Sequence, residues 1–155
     1  MNENTRGQFM GVHHLTLRVT ASGLEDEILI ASAMSELIGN HELVEIEKTT
    51  SYYGSSIHLI NAVTKKNKLA IKCLSKLGVD NLDLLISSLD DRMDENNTLH
   101  FRIGLDELIR GDVVIVSSNV KSVKGQTKLE VYPGQSPLEE AKNILNQAKE
   151  AFATK

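Results

Sequence analysis

The chain has 155 residues, 41% hydrophobic and 25% charged, with a net charge of −4 and a single cysteine, Cys73. That length suits one domain able to bury a core without covalent staples. The lone cysteine excludes an internal disulfide framework and suits a reducing, cytoplasmic setting. No apolar run approaches the ~18 residues of a membrane-spanning helix, and the net acidity excludes a surface coated with base for general nucleic-acid binding.

The first ten residues, MNENTRGQFM, are polar and carry Glu3, unlike a signal peptide. They read as a flexible arm, with Met10 as an alternative start, ahead of a single domain over residues 11–152. In VHHLTLRVT, residues 12–20, Leu15, Leu17 and Val19 alternate with Thr16, Arg18 and Thr20, the period of a half-buried strand. Ser22 and Glu25 form a capping-box pattern. A helical stripe of Leu24, Ile28, Ala31, Met34 and Ile38 follows, closed by Gly39.

Val44 and Ile46 alternate with Glu45 and Glu47, a second strand. SYYGSS is a turn with Gly54 as its permissive residue, and SIHLINAV, residues 56–63, is a third strand. It is apolar on both faces apart from His58 and Asn61, which predicts a central place in the sheet. The two strands read as a hairpin. A helix over about residues 66–77 turns Leu69, Cys73, Leu74 and Leu77 inward and lines Lys65, Lys68, Lys72 and Lys76 along one face. Gly78 ends it, and Asn81 is placed to cap another helix with Leu82, Leu85, Ile86 and Leu89 as its core face.

Leu99, Phe101 and Ile103 alternate with His100 and Arg102, a strand; LDELIR is a short helix or turn. DVVIVS, residues 112–117, reads as a buried strand and QTKLEVY, residues 126–132, as an alternating one, broken by Pro133 and Gly134. Ser136, Pro137 and Glu139 are a strong helix start, with a stripe of Leu138, Ala141, Leu145, Ala148 and Phe152. The order β-α-β-β-α-α-β-(α)-β-β-α predicts an α+β fold, a mostly antiparallel sheet with helices packed on one face.

The charge is unevenly spread. Residues 48–76 hold six lysines (Lys48, Lys65, Lys66, Lys68, Lys72 and Lys76) and no acid, while residues 77–107 hold eight acids against Arg92 and Arg102. A solubilising helix face usually mixes signs, so an unneutralised lysine face points to a polyanion. Tyr52 and Tyr53, two of six Phe and Tyr residues, have two readings: a platform on which bases stack, or a pair that packs on the sheet edge and snorkels.

Other chemistries lack their patterns. There is no P-loop, dinucleotide fingerprint or nucleophile elbow. Adjacent His13 and His14 point to opposite faces of a strand, and zinc-ligand spacing is missing. The acids Asp90, Asp91, Asp94 and Glu95 lack the spacing and glycine of a calcium loop. No cofactor, metal or catalytic residue is expected.

Three stretches carry a family resemblance: YYGSSIHLINAVTKKNKLAIKCLSKL, LLISSLDDRMDENNTLHFRIGLDELIRGDVVIV and KGQTKLEVYPG. Their order resembles an archaeal RNA-binding protein family described as predicted exosome subunits: an aromatic before Gly54, a strand, a basic helix, then Arg92, Asp94, Leu99 and Arg102. The likeness covers most of residues 10–152. It departs after Arg102, where family members often have a basic, glutamine-containing segment and this chain has Gly104-Leu105-Asp106-Glu107-Leu108-Ile109. The resemblance implies a two-layer sandwich like that of the large-subunit ribosomal protein that contacts 5S RNA, and a non-catalytic role.

Together these readings predict a non-catalytic RNA-binding protein, an accessory of RNA processing or exosome-type decay. Lys65, Lys66, Lys68, Lys72 and Lys76 would hold phosphates, Tyr52 and Tyr53 would stack on bases, and His58 would flank them, with Arg102 and Arg110 as further contacts. Specificity for RNA sequence would be low, because lysine reads charge and not base edges. Expected partners are RNA and an exosome or ribosome-associated complex. The alternative is a homodimeric interaction module that docks on a larger complex without touching RNA.

Overall fold

The structure, a computed structural model, describes residues 11–23 and 25–153. The expected N-terminal arm, residues 1–10, and Leu24 of the first predicted helical stripe lie outside the described residues. The fold is α+β: five antiparallel strands with six helices among the described residues. The sheet order is β2-β3-β1-β5-β4, with β1 spanning Val12–Ser22, β2 Val44–Thr50, β3 Ser56–Thr64, β4 Thr98–Gly104 and β5 Ser122–Leu129.

Strand β1 takes the central place. Its Leu15, Leu17, Val19 and Ala21 are buried beneath the helices, while His14, Thr16, Arg18 and Thr20 face away from them. Strand β3 lies between β1 and β2, as its two apolar faces predicted. The connecting turn is tight: Gly54, at φ +88°, donates its N–H to Ser51 O at 2.9 Å.

Helix α1 (Glu27–Ile38) starts later than the capping box predicted. Glu25 does reach back to the Ser22 N–H at 2.7 Å, but the cap is Asp26, whose carboxylate accepts from the N–H groups of Ile28 and Leu29 at 3.1 Å. The buried stripe is Ile30, Met34, Leu37 and Ile38, leaving Ile28 66% exposed. Two overlapping stripes share Met34 and Ile38, and packing against β3 selects one of them. After a 3-10 turn (His41–Leu43), β2 forms the sheet edge, with Ile46 37% exposed.

Helix α2 (Asn67–Ser75) buries Ala70, Cys73 and Leu74. The Asn67 carboxamide accepts from the Val12 N–H at 2.7 Å and ties the helix start to the start of β1. Helix α3 (Val79–Ser87) is preceded by Gly78; Asn81 is inside it and donates to Leu77 O at 2.7 Å and Val113 O at 2.9 Å, so it staples two segments instead of capping. One turn, α4 (Leu89–Arg92), leads into β4, and α5 (Leu105–Ile109) follows that strand. Helix α6 (Pro137–Ala153) starts on Ser136, packs along α2 and α3, and buries Ala141, Ile144, Leu145 and Ala148, with Leu138 and Phe152 at its exposed margins.

Two strand predictions are corrected. Residues 112–117 are not a buried strand: Ile115 makes one isolated bridge to Ile103, and Val114 is 40% exposed. The segment decorates the outer edge of β4, where only one side finds partners. The last strand starts at Ser122 and ends at Leu129, four residues earlier than predicted at its start, because Gly125 masks it. A Cβ added to Gly125 would overlap the Phe101 ring on β4, so the glycine is a packing requirement within a strand.

The loop into β4 is organised by Asp94. One carboxylate oxygen accepts from Asn96 N–H at 2.8 Å and Thr98 N–H at 3.0 Å, and the other meets His100 Nε2 at 2.7 Å. The His100 hydrogen bond, opposed by some burial and aided by the backbone bonds, holds the Asp94 carboxyl below its ordinary 3.8.

Gly125→Ala should lower stability by about 1–3 kcal/mol through overpacking, and adding Phe101→Leu should recover part of the loss in urea unfolding. Because the Asp94 pKa is lowered by folding, its contribution is complete above the ordinary value and disappears as pH falls through the folded one. Urea midpoints measured between about pH 2 and 5 should therefore fall less steeply with acid in Asp94→Asn than in the parent chain.

Candidate nucleic-acid interface

The predicted contact residues divide between separate places. Tyr52 and Tyr53 lie in the hairpin turn, 94% and 90% exposed, with their rings edge to face at 5.1 Å. The lysine helix follows the other end of β3. That strand has nine residues, so the turn and the helix start are about 26 Å apart along it at ~3.3 Å per step. Tyrosines and lysine helix therefore do not form one patch.

Lys68, Lys72 and Lys76 line a groove of about 600 Å³ between α2 and α6, with Ile71 among its apolar residues. Lys76 is engaged: its Nζ donates to Glu36 O at 2.5 Å and satisfies a carbonyl at the end of α1. Lys66 occupies the position before α2, and Lys65 is exposed beyond β3. His58 faces the helices and is 6% exposed, with Nε2 3.8 Å from the Glu27 carboxylate. A buried residue of the covered sheet face cannot flank a base, so His58 belongs to the core. Arg110 is exposed at the end of α5, a helix that packs on α1.

Arg102 leads to a different surface. It faces outward on β4, on the side of the sheet that none of the described helices covers. The strand register places Glu45, Asn61, Arg18, Lys124 and Arg102 side by side across all five strands. Arg18, Lys124 and Arg102 are consecutive, so three cations occupy adjacent strands at the close spacing of cross-strand neighbours. The neighbouring rung carries Thr16, Gln126 and His100, and the next His14, Lys128 and Thr98. The outward positions of β1, β5 and β4 within these rungs contain no Asp or Glu.

Neutral partners hold this face in shape. Arg18 Nε donates to Asn61 Oδ1 at 3.2 Å, and Arg102 reaches Ser122 Oγ at 3.4 Å. The local field is positive: burial first, then the charges of His13, Lys128 and Lys65, lower the His14 pKa. Lys65 thus contributes to the sheet side as well as lying near α2. Lys121, at the margin, is paired with Glu25 at 2.5 Å, and that hydrogen bond is the leading cause of the lowered Glu25 pKa.

Two concavities share Arg102 and Lys124. One of about 330 Å³ also touches Arg18, Lys121 and Ser122; the other, about 430 Å³, also touches Arg92, His100 and Ser118. Cationic side chains in adjoining hollows suit an extended polyanion. Among the described residues, no group of His, Cys, Asp or Glu could hold a metal ion, and no helix is long and apolar enough to cross a membrane.

Charge runs drew attention to the lysine helix and away from Arg18, Lys124 and Lys128, which are isolated bases in the sequence. Their signal was alternation: each occupies an outward position of a strand. Phase, not local density, assembles them.

The chain is similar to three solved archaeal structures. A DUF54 protein from Methanothermobacter thermautotrophicus is 22% identical, with TM-score 0.68, over 86% of this chain and 98% of that one. A DUF54 protein from Archaeoglobus fulgidus is 21% identical, with TM-score 0.70, over 88% and 99%. A UPF0201 protein from Methanococcus jannaschii is 13% identical, with TM-score 0.58, over 85% and 98%. These likenesses establish the shared fold. No curated protein matches the chain. The model of the RNA-binding family, described as "RNA binding", matches residues 14–128, a span from the outward His14 of β1 to the outward Lys128 of β5. The chain belongs to this RNA-binding family.

Proposed function

We propose that the protein binds RNA on the uncovered face of its sheet, with Arg18, Lys124 and Arg102 holding successive backbone phosphates and Lys128 extending the track. The observation that carries this reading is the registered row of three cations on adjacent strands without an intervening carboxylate. Like charges placed opposite each other disfavour the free sheet, and a phosphate between them removes that repulsion. These rungs carry no Phe, Tyr or Trp, and their rings are the imidazoles of His14 and His100, so phosphate contacts by the cations dominate and recognition is chiefly of the backbone.

The finer role follows from the family resemblance: a non-catalytic accessory of RNA processing or exosome-type decay. Lys68 and Lys72 on the helical layer are left for a secondary contact. Purified protein should then leave a bound RNA intact on prolonged incubation, as read on a denaturing gel; cleavage lost in a single-residue variant would reverse the non-catalytic assignment.

RNA affinity measured at two salt concentrations separates the two basic surfaces. Arg18→Glu/Lys124→Glu should weaken binding by more than about tenfold and flatten the salt slope by roughly 1.4, at ~0.7 for each phosphate of a single strand that is no longer neutralised. Lys68→Glu/Lys72→Glu should have the smaller effect. A larger loss from the helix pair would move the primary site to α2.

A further inference from the structure

The larger of the two sheet-face hollows has features that an internal phosphodiester does not require. It lies over β4 at the sheet margin. On the outer side of that strand Met93 bridges to Leu99 and Ile115 bridges to Ile103, with Val116 N–H bonded to Arg102 O at 2.9 Å. The hollow opens between these two flanking segments. A cationic track that starts at Arg18 and crosses Lys124 and Arg102 therefore ends there against chain.

The lining is donor-rich at that end. Arg92, Arg102 and Lys124 supply three cations against one carboxylate, Asp91, and Ser118 adds a hydroxyl. Arg92 is positioned from behind: its Nε donates to Ser88 Oγ at 2.6 Å, and its terminal nitrogens bond no described residue. His100, with its ring held by Asp94 at 2.7 Å, forms another side. At about 430 Å³ the hollow is large enough for a small polar ligand.

We infer that this hollow binds a terminal phosphate of an RNA strand, and so acts as an end-recognition site. The inference rests on the sheet-face reading and adds to it the class of RNA preferred. A diester offers two free oxygens and one negative charge. A terminal monoester offers three strong acceptor oxygens and a charge of about −1.5 to −2 at neutral pH. Only the second uses the extra cation and hydroxyl beyond the Arg18–Lys124–Arg102 row, and only an end fits where the track stops. Both a 5′-phosphate and a 3′-phosphate have this chemistry.

The test compares short single-stranded oligoribonucleotides of one sequence bearing a 5′-phosphate, a 3′-phosphate or hydroxyls at both ends, by fluorescence anisotropy with an internal label. One of the two phosphorylated forms should bind roughly tenfold more tightly than the hydroxyl form, the scale of one or two charge-assisted hydrogen bonds. Arg92→Gln should bring the ratio of phosphorylated to hydroxyl affinity close to one. Lys142→Gln, which changes an exposed lysine of α6, should keep that ratio. Thermal melting checks that each variant is folded. Equal affinity for all three oligonucleotides, or a preference that survives in Arg92→Gln, overturns the end site while leaving RNA binding by the sheet intact. Absence of binding by any oligonucleotide overturns both.

Discussion

Leu15, Leu17, Val19 and Ala21 must be buried, and because side chains on a strand alternate, their neighbours on β1 face away from the helices. That constraint organises the molecule. A slip of one residue would bring Thr16, Arg18 and Thr20 into the core and expose four apolar residues, so the phase is strongly specified. Pairing with β3 on one side and β5 on the other then carries the same phase across the sheet. The surface chemistry is a consequence of the core: Arg18 faces outward because Leu17 and Val19 do not.

The same phase places Lys124 between Arg18 and Arg102. Such an arrangement does little for the stability of the free chain, since like charges sit opposite each other. It is tolerated because the face is solvated, and because Asn61 and Ser122 orient the two arginines through neutral oxygens. A carboxylate at either position would have stabilised the row and cancelled its field. Glu25 and Asp94 instead engage Lys121 and His100 at the margins of the sheet. The face is thus framed by acids and basic in its centre.

A second group of lysines lies on the opposite layer. The groove between α2 and α6 has Lys68 and Lys72 beside apolar Ile71, whereas Lys76 is committed to the end of α1. Density of charge along the chain therefore singled out a helix, and one of its lysines has a structural task. Tyr52 and Tyr53 are displaced from the lysine helix by the length of β3, and the Arg18 row crosses that strand at Asn61, near its middle. Their prominence in the sequence reflects an exposed turn shaped by Gly54.

Local patterns were sufficient for what depends on neighbours in sequence. Alternation identified β1, β2 and β4, and an apolar run after the Gly54 turn identified β3; Gly39, Gly78 and Ser136 marked helix boundaries; and the two-layer α+β arrangement followed from their order. Where local patterns were ambiguous, packing decided. Ile30 displaced Ile28 in the buried stripe of α1, Gly125 was kept inside β5 to admit the Phe101 ring, and residues 112–117 found only the outer edge of β4. The sequence by itself determined which side chains of each strand must point out of the core, because that requires only the period of two and the position of the apolar residues. Which outward residues become neighbours was decided by the tertiary structure alone. Arg18, Lys124 and Arg102 meet through non-local hydrogen-bond register, and no property of the short segments around them specifies that register in isolation.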